Sequence, residues 1–149
     1  MTMKLKLPKL GRLALSGLLI ALLVLGGGCL GQKQAAPGDQ IIEDVTLEEA
    51  YALMMDNLGS EDFVILDVRT PEEYASGHIE RAVNLDYYSE TFKEELDKLD
   101  KDKVYLIYCR SGNRSGKALA IMEELGFREV YNMRGGMIRW EAVGMPVVK

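Results

Sequence analysis

Two apolar runs of strand length, DFVILDV at 62–68 and KVYLIYC at 103–109, constrain this chain more than any other feature. Neither alternates with polar residues, as expected of strands covered on both faces. Each is followed by a segment that opens like a helix. TPEEYASG offers Thr70 as N-cap, Pro71 at the first helical position and Glu73 at capping-box spacing. RSGKALAIMEELG is a helical pattern closed by Gly126. The same alternation extends both ways. IIEDV, AVNLD and EVYNM are shorter strand candidates. TLEEAYALMMDNLG pairs Thr46 with Glu49 as a second capping box and sets Leu47, Ala50, Tyr51, Met54 and Leu58 on one stripe, its methionines read as core filler. SETFKEELDKL turns Phe92, Leu96 and Leu99 inward, and GGMIRWEAVG closes the series as a last helix. Strands alternating with helices predict an α/β fold, a central parallel five-stranded sheet with helices on both faces, over residues 41–149.

The N-terminus has a different composition. Lys4, Lys6, Lys9 and Arg12 come without an acid, residues 13–25 are almost wholly apolar, and a Gly-Gly-Gly run precedes Cys29. A basic start, a short apolar run and a small-residue end predict an export signal over 1–28. The run is short for a membrane span, which needs about 20 residues. Cys29 after small residues resembles the lipobox of prokaryotic lipoproteins, whose cysteine is lipidated, although Gly26 stands where leucine is usual. The expectation is an exported domain tethered by lipid to the outer face of the cell membrane. Residues 29–40, polar and Gly/Pro-bearing, form a flexible tether of ~20 Å root-mean-square span. Losing the four basic residues of the signal takes the net charge from −5 to −9. That acidity argues against nucleic acid as a partner.

Cys109 is then the one remaining thiol, so no intrachain disulfide can form once Cys29 is lipidated. It ends the fourth strand candidate, where ligands of parallel sheets bind. Behind it, SGNRSG lets the chain curl so that successive backbone N–H groups form an anion nest, and a helix start adds its positive end. Arg110 and Arg114 add charge. Together these lower the thiol pKa and predict a thiolate nucleophile; a buried structural cysteine before an ordinary turn is the alternative.

The loop CRSGNRS resembles the active-site loop of rhodanese-domain sulfurtransferases. ILDVRTPEEYASGHIERAVNL and NMRGGMIRWEAVGMPVV resemble that family's upstream and closing signatures, in the right order, across 41–149. Arg81 departs from it, standing where the family usually has glycine before Ala82. The resemblance implies that Cys109 takes sulfane sulfur as a persulfide from a small anionic donor, thiosulfate or a polysulfide type. It yields that sulfur to a thiophilic acceptor: cyanide, a thiol, sulfide or a partner protein. Arg110, Ser111, Gly112, Asn113, Arg114 and Ser115 would hold the persulfide, with no metal or organic cofactor. Cysteine phosphatases and arsenate reductases carry one residue more between Cys and Arg than the four here, and the smaller cradle suits a single sulfur better than an oxyanion. A sulfur-binding or docking module without turnover is the other reading.

Asp67 and Arg69, at the end of the second strand, could face the same crevice, and in the family the aspartate supports the loop; a plain ion pair is the alternative. Glu73 reads as a cap partner rather than an acid catalyst. His78, the only histidine, rules out a His metal cluster and reads as part of a structural turn. Arg134 and Trp140 read as packing residues, and Tyr87 and Tyr88 as a surface turn.

Overall fold

The computed structural model describes residues 40–149. The segment read as an export signal at 1–28, Cys29 and the segment read as a tether up to residue 39 lie outside the described residues. Among the described residues, no helix is long and apolar enough to cross a membrane.

Five strands and five helices alternate: β1 (Ile41–Val45), α1 (Leu47–Asp56), β2 (Phe63–Asp67), α2 (Pro71–Ser76), β3 (Val83–Asn84), α3 (Phe92–Asp97), β4 (Val104–Tyr108), α4 (Asn113–Glu124), β5 (Glu129–Met133) and α5 (Gly136–Ala142). All strand pairs are parallel, in the order β1-β5-β4-β2-β3. The predicted α/β fold is therefore the observed one. Both capping boxes form, Thr46 with Glu49 and Thr70 with Glu73. Gln40, assigned to the tether, instead donates through Nε2 to the carbonyls of Glu123 and Phe127, fixing the entry to β1.

Side chains of a strand alternate between faces. On β4, Leu106 and Tyr108 enter one core with Val45, Ala50, Met133 and Trp140, under α1 and α5. Tyr105, Ile107 and Cys109 enter the other with Leu96, Ala118, Met122 and Phe127, under α3 and α4. Two covered faces explain why the central strands are apolar without alternation. The stripe assigned to α1 is narrower than predicted: Leu47, Ala50 and Met54 are buried, but Tyr51 and Leu58 are exposed. Tyr51 and Leu58 instead line a groove together with Met54, Phe63 and Trp140.

Candidate active site

β4 runs between β5 and β2, so its carboxyl end opens at the middle of the sheet. Cys109 follows directly, 1% exposed. Its sulfur accepts a hydrogen bond from the Gly112 N–H at 3.1 Å and one from the Ser115 hydroxyl at 3.4 Å. Burial pushes the thiol up. The Ser115 hydroxyl and the backbone N–H groups of Ser115, Ser111 and Gly112 outweigh it and hold Cys109 below the ordinary thiol value. Of the groups behind Cys109, the Gly112 N–H and the Ser115 hydroxyl are the ones that reach its sulfur directly.

The loop is held from outside by α5. Met137 N–H donates to the Cys109 carbonyl at 2.9 Å, and Ile138 N–H to the Arg110 carbonyl at 3.0 Å. This approach requires glycine. A Cβ on Gly136 would collide with the Cys109 carbonyl oxygen, and the residue sits at φ +51°. Gly112 sits at φ +94°, and a Cβ there would lie 3.2 Å from the Gly135 nitrogen.

The two arginines behave differently. Arg114 donates to both carboxylate oxygens of Glu73 at 2.6 and 2.8 Å. Hydrogen bonding to Arg114 is the main reason that the Glu73 carboxyl lies below its usual value, and the same contact raises the guanidinium. Glu73 also accepts from the Thr70 N–H, so it serves as cap and clamp together. Arg110 is exposed and in no ion pair among the described residues. Arg110, Ser111, Asn113 and Arg114 line an open cleft of about 530 Å³ together with Thr70, Glu73 and Tyr88.

Three expectations need correction. Asp67 and Arg69 do not face the crevice. Asp67 is fully buried on the Tyr108 side of β2, bonded to Arg69 at 2.6 Å, and Arg69 reaches the Gly77 carbonyl and lies over the Tyr108 ring. Cys109 points to the opposite face, and no residue of the loop from Cys109 to Ser115 hydrogen-bonds with either, among the described residues. Tyr87 and Tyr88 do lie in a turn, with Tyr88 exposed in the cleft beneath Arg114, but Tyr87 is half-buried and packs on Phe92. Arg134 is exposed rather than packed, donating to the Asp44 carbonyl at 3.3 Å.

His78 forms a backbone bridge with Val148, and its ring stacks on Tyr74. Trp140 is buried, with Nε1 donating to the Pro146 carbonyl. Among the described residues, no group of three or more histidine, cysteine or acidic side chains is arranged to hold a metal ion.

The family profile described as Rhodanese-like domain matches residues 40–143. The chain belongs to the rhodanese-like family. This rhodanese-like chain is 39% identical over 89 residues to a sulfurtransferase of Allochromatium vinosum, covering 60% of this chain and 81% of the relative. It is 40% identical over 96 residues to a tRNA uridine(34) hydroxylase of Pectobacterium atrosepticum, covering 58% of this chain but only 26% of that one. The crystal structure of a rhodanese-related protein from Thermoplasma volcanium superimposes with TM-score 0.56 at 31% identity, covering 73% of this chain and 97% of that one. The pairing of Glu73 with Arg114, the pinning by Met137 and Ile138, and the place of Tyr88 were missed from sequence. The Gly135-Gly136 pair was the one local signal of close backbone approach.

Proposed function

We propose that the chain is a sulfurtransferase that carries sulfane sulfur on Cys109. One observation carries this reading: the Cys109 sulfur sits inside a ring of donors, from Gly112 N–H to Ser115 hydroxyl, that favours an anion at the thiol. The Cys109 thiolate attacks the outer sulfur of a donor such as thiosulfate. The sulfur–sulfur bond of the donor breaks, sulfite leaves with the bonding pair, and a persulfide anion remains on Cys109. An acceptor nucleophile then attacks the outer sulfur of that persulfide. Cyanide leaves as thiocyanate, or a thiolate as its own persulfide, and the Cys109 thiolate returns. The N–H groups of Ser111, Gly112 and Ser115, with the Ser115 hydroxyl, stabilise the negative sulfur in both steps.

Incubation with thiosulfate or polysulfide, followed by intact mass, tests the first half. The wild type gains one sulfur and Cys109→Ser gains none. Absence of any adduct on the wild type defeats the reading. Continued thiocyanate release beyond one equivalent distinguishes turnover from stoichiometric sulfur binding.

We also propose that Cys29 carries a lipid that tethers the domain outside the cell. The basic and apolar composition of 1–28 supports this. Labelled glycerol entering the wild type and not Cys29→Ser is the expected result; equal labelling of both refutes it.

A further inference from the structure

The groove bordered by α1 lies at the other end of the sheet from the thiol. Phe63 lines it and pairs with Val104 at the start of β4, whereas Cys109 follows the end of that strand. Its volume of about 220 Å³ is below that of an ordinary small-molecule site, roughly 300–1,000 Å³, and suits one narrow apolar chain better than a ring system. Met54, Ile79 and Trp140 are buried in its lining, while Tyr51, Met55 and Leu58 are exposed, Leu58 at 66%. An exposed apolar surface that continues into a buried apolar slot favours a ligand driven out of water.

Two charges stand among these apolar residues. Glu80 and Arg81 both line the groove and both are exposed. Among the described residues neither enters an ion pair, with the other or with any third group. Arg81 is held at φ +66°, the one non-glycine residue among the described residues in the left-handed region. Backbone kept in a disfavoured conformation points to a position with a task. A headgroup carrying both signs meets both side chains, whereas a simple anion or cation meets one and is repelled by the other. A second copy of the chain fits less well. Glu48, Glu49 and Asp56 are exposed on α1, so a twofold contact through this helix sets like charges together.

We infer that the groove is a lipid-docking site that takes one acyl chain of a zwitterionic phospholipid from a bilayer, with the phosphate at Arg81 and the ammonium at Glu80. The chain runs past Leu58 and Tyr51 and reaches Trp140. This goes beyond sulfur transfer and does not depend on it. The lipid proposed on Cys29 would keep the domain beside a bilayer through a tether of ~20 Å, which raises the local concentration of such a ligand. The net negative charge of the chain disfavours an anionic surface and leaves a zwitterionic one.

Trp140 is the only tryptophan, so its fluorescence reports on the groove. A single-chain phosphocholine with a brominated, quenching tail is titrated into the full chain below its micelle-forming concentration. Saturable quenching of Trp140 is expected. The half-quenching concentration rises about tenfold in Leu58→Asp and about threefold in Arg81→Gln. An alkyl sulfate with the same tail binds more weakly than the phosphocholine. Absence of quenching, an unchanged midpoint in Leu58→Asp, or equal binding of the two heads overturns the inference. Vesicles of brominated phosphatidylcholine test the source. Chains recovered with the vesicles show quenched Trp140 in the wild type and not in Leu58→Asp; unquenched wild type on the vesicles overturns docking to a bilayer. A dimer in sedimentation that Leu58→Asp dissolves assigns the groove to a second copy and overturns it too. A wild type without sulfur transfer leaves these readouts untouched, so the two readings fail separately.

Discussion

Arg114 donates to both carboxylate oxygens of Glu73 at 2.6 and 2.8 Å, joining α4 to α2 across 41 positions of sequence. The pair is largely shielded from water, with side-chain exposures of 13% and 30%. It sets the position of the helix that follows the thiol loop, and it takes up a charge that could otherwise have bound substrate.

Glu73→Gln removes one charged partner and weakens the α2 cap. The expected loss is about 1–2 kcal/mol, read by urea unfolding at neutral pH. The Glu73 carboxyl lies below its ordinary value in the fold, so its stabilisation is complete above the ordinary carboxylate range. It is lost as pH falls through the lowered value. The wild type therefore loses its advantage over Glu73→Gln in acid. An advantage that persists after the carboxyl has protonated contradicts this assignment.

Ser115→Ala removes the hydroxyl donor to the Cys109 sulfur. The thiol then loses the largest influence that lowers its pKa, and the midpoint of its reactivity moves to higher pH. In the wild type, alkylation by iodoacetamide levels off at a pH below that of an ordinary cysteine. The two profiles should separate along the pH axis; superimposed curves would assign the control of the thiol elsewhere.

Gly136→Ala forces a Cβ into the Cys109 and Arg110 backbone while holding a left-handed φ. Roughly 3 kcal/mol of stability should be lost, together with sulfur transfer. Gly126→Ala is the matched control. It also has a positive φ, +85°, but open space around the new atom, and costs only about 1–2 kcal/mol. Equal losses at the two sites would mean that backbone angle alone accounts for both.

The sheet, both capping boxes and the position of Cys109 were legible because each depends on neighbours within a few residues. Apolar runs mark covered strands, and a capping box is a spacing of three. What escaped depends on contacts distant in sequence. Nothing near Arg114 announces Glu73, and nothing near Asp67 announces that it turns to the Tyr108 side. That last error came from treating two strand ends as one rim. Alternation along β2 and β4 sends Asp67 and Cys109 to opposite faces although both strands end at the same crevice.

Arg81 shows a departure whose cost can be measured. It is the one non-glycine residue with positive φ among the described residues, at +66°, and it is exposed. Arg81→Gly relieves the left-handed strain and gives back part of the gain in chain entropy, for a net stabilisation of about 0.5–1 kcal/mol. A rise in the urea midpoint with unchanged sulfur transfer is expected. A fall would show that the arginine side chain makes a compensating contact.

The α5 hydrogen bonds that hold the carbonyls of Cys109 and Arg110 have a wider implication. They turn that edge of the loop outward into main-chain partners and leave its N–H edge for the sulfur. Reactivity therefore resides in Cys109, the Ser115 hydroxyl and peptide groups that every amino acid shares, whereas the character of the rim resides in replaceable side chains at 110, 111 and 113. The two can drift independently, so a chain of this design can acquire a new clientele without rebuilding the atom that does the carrying.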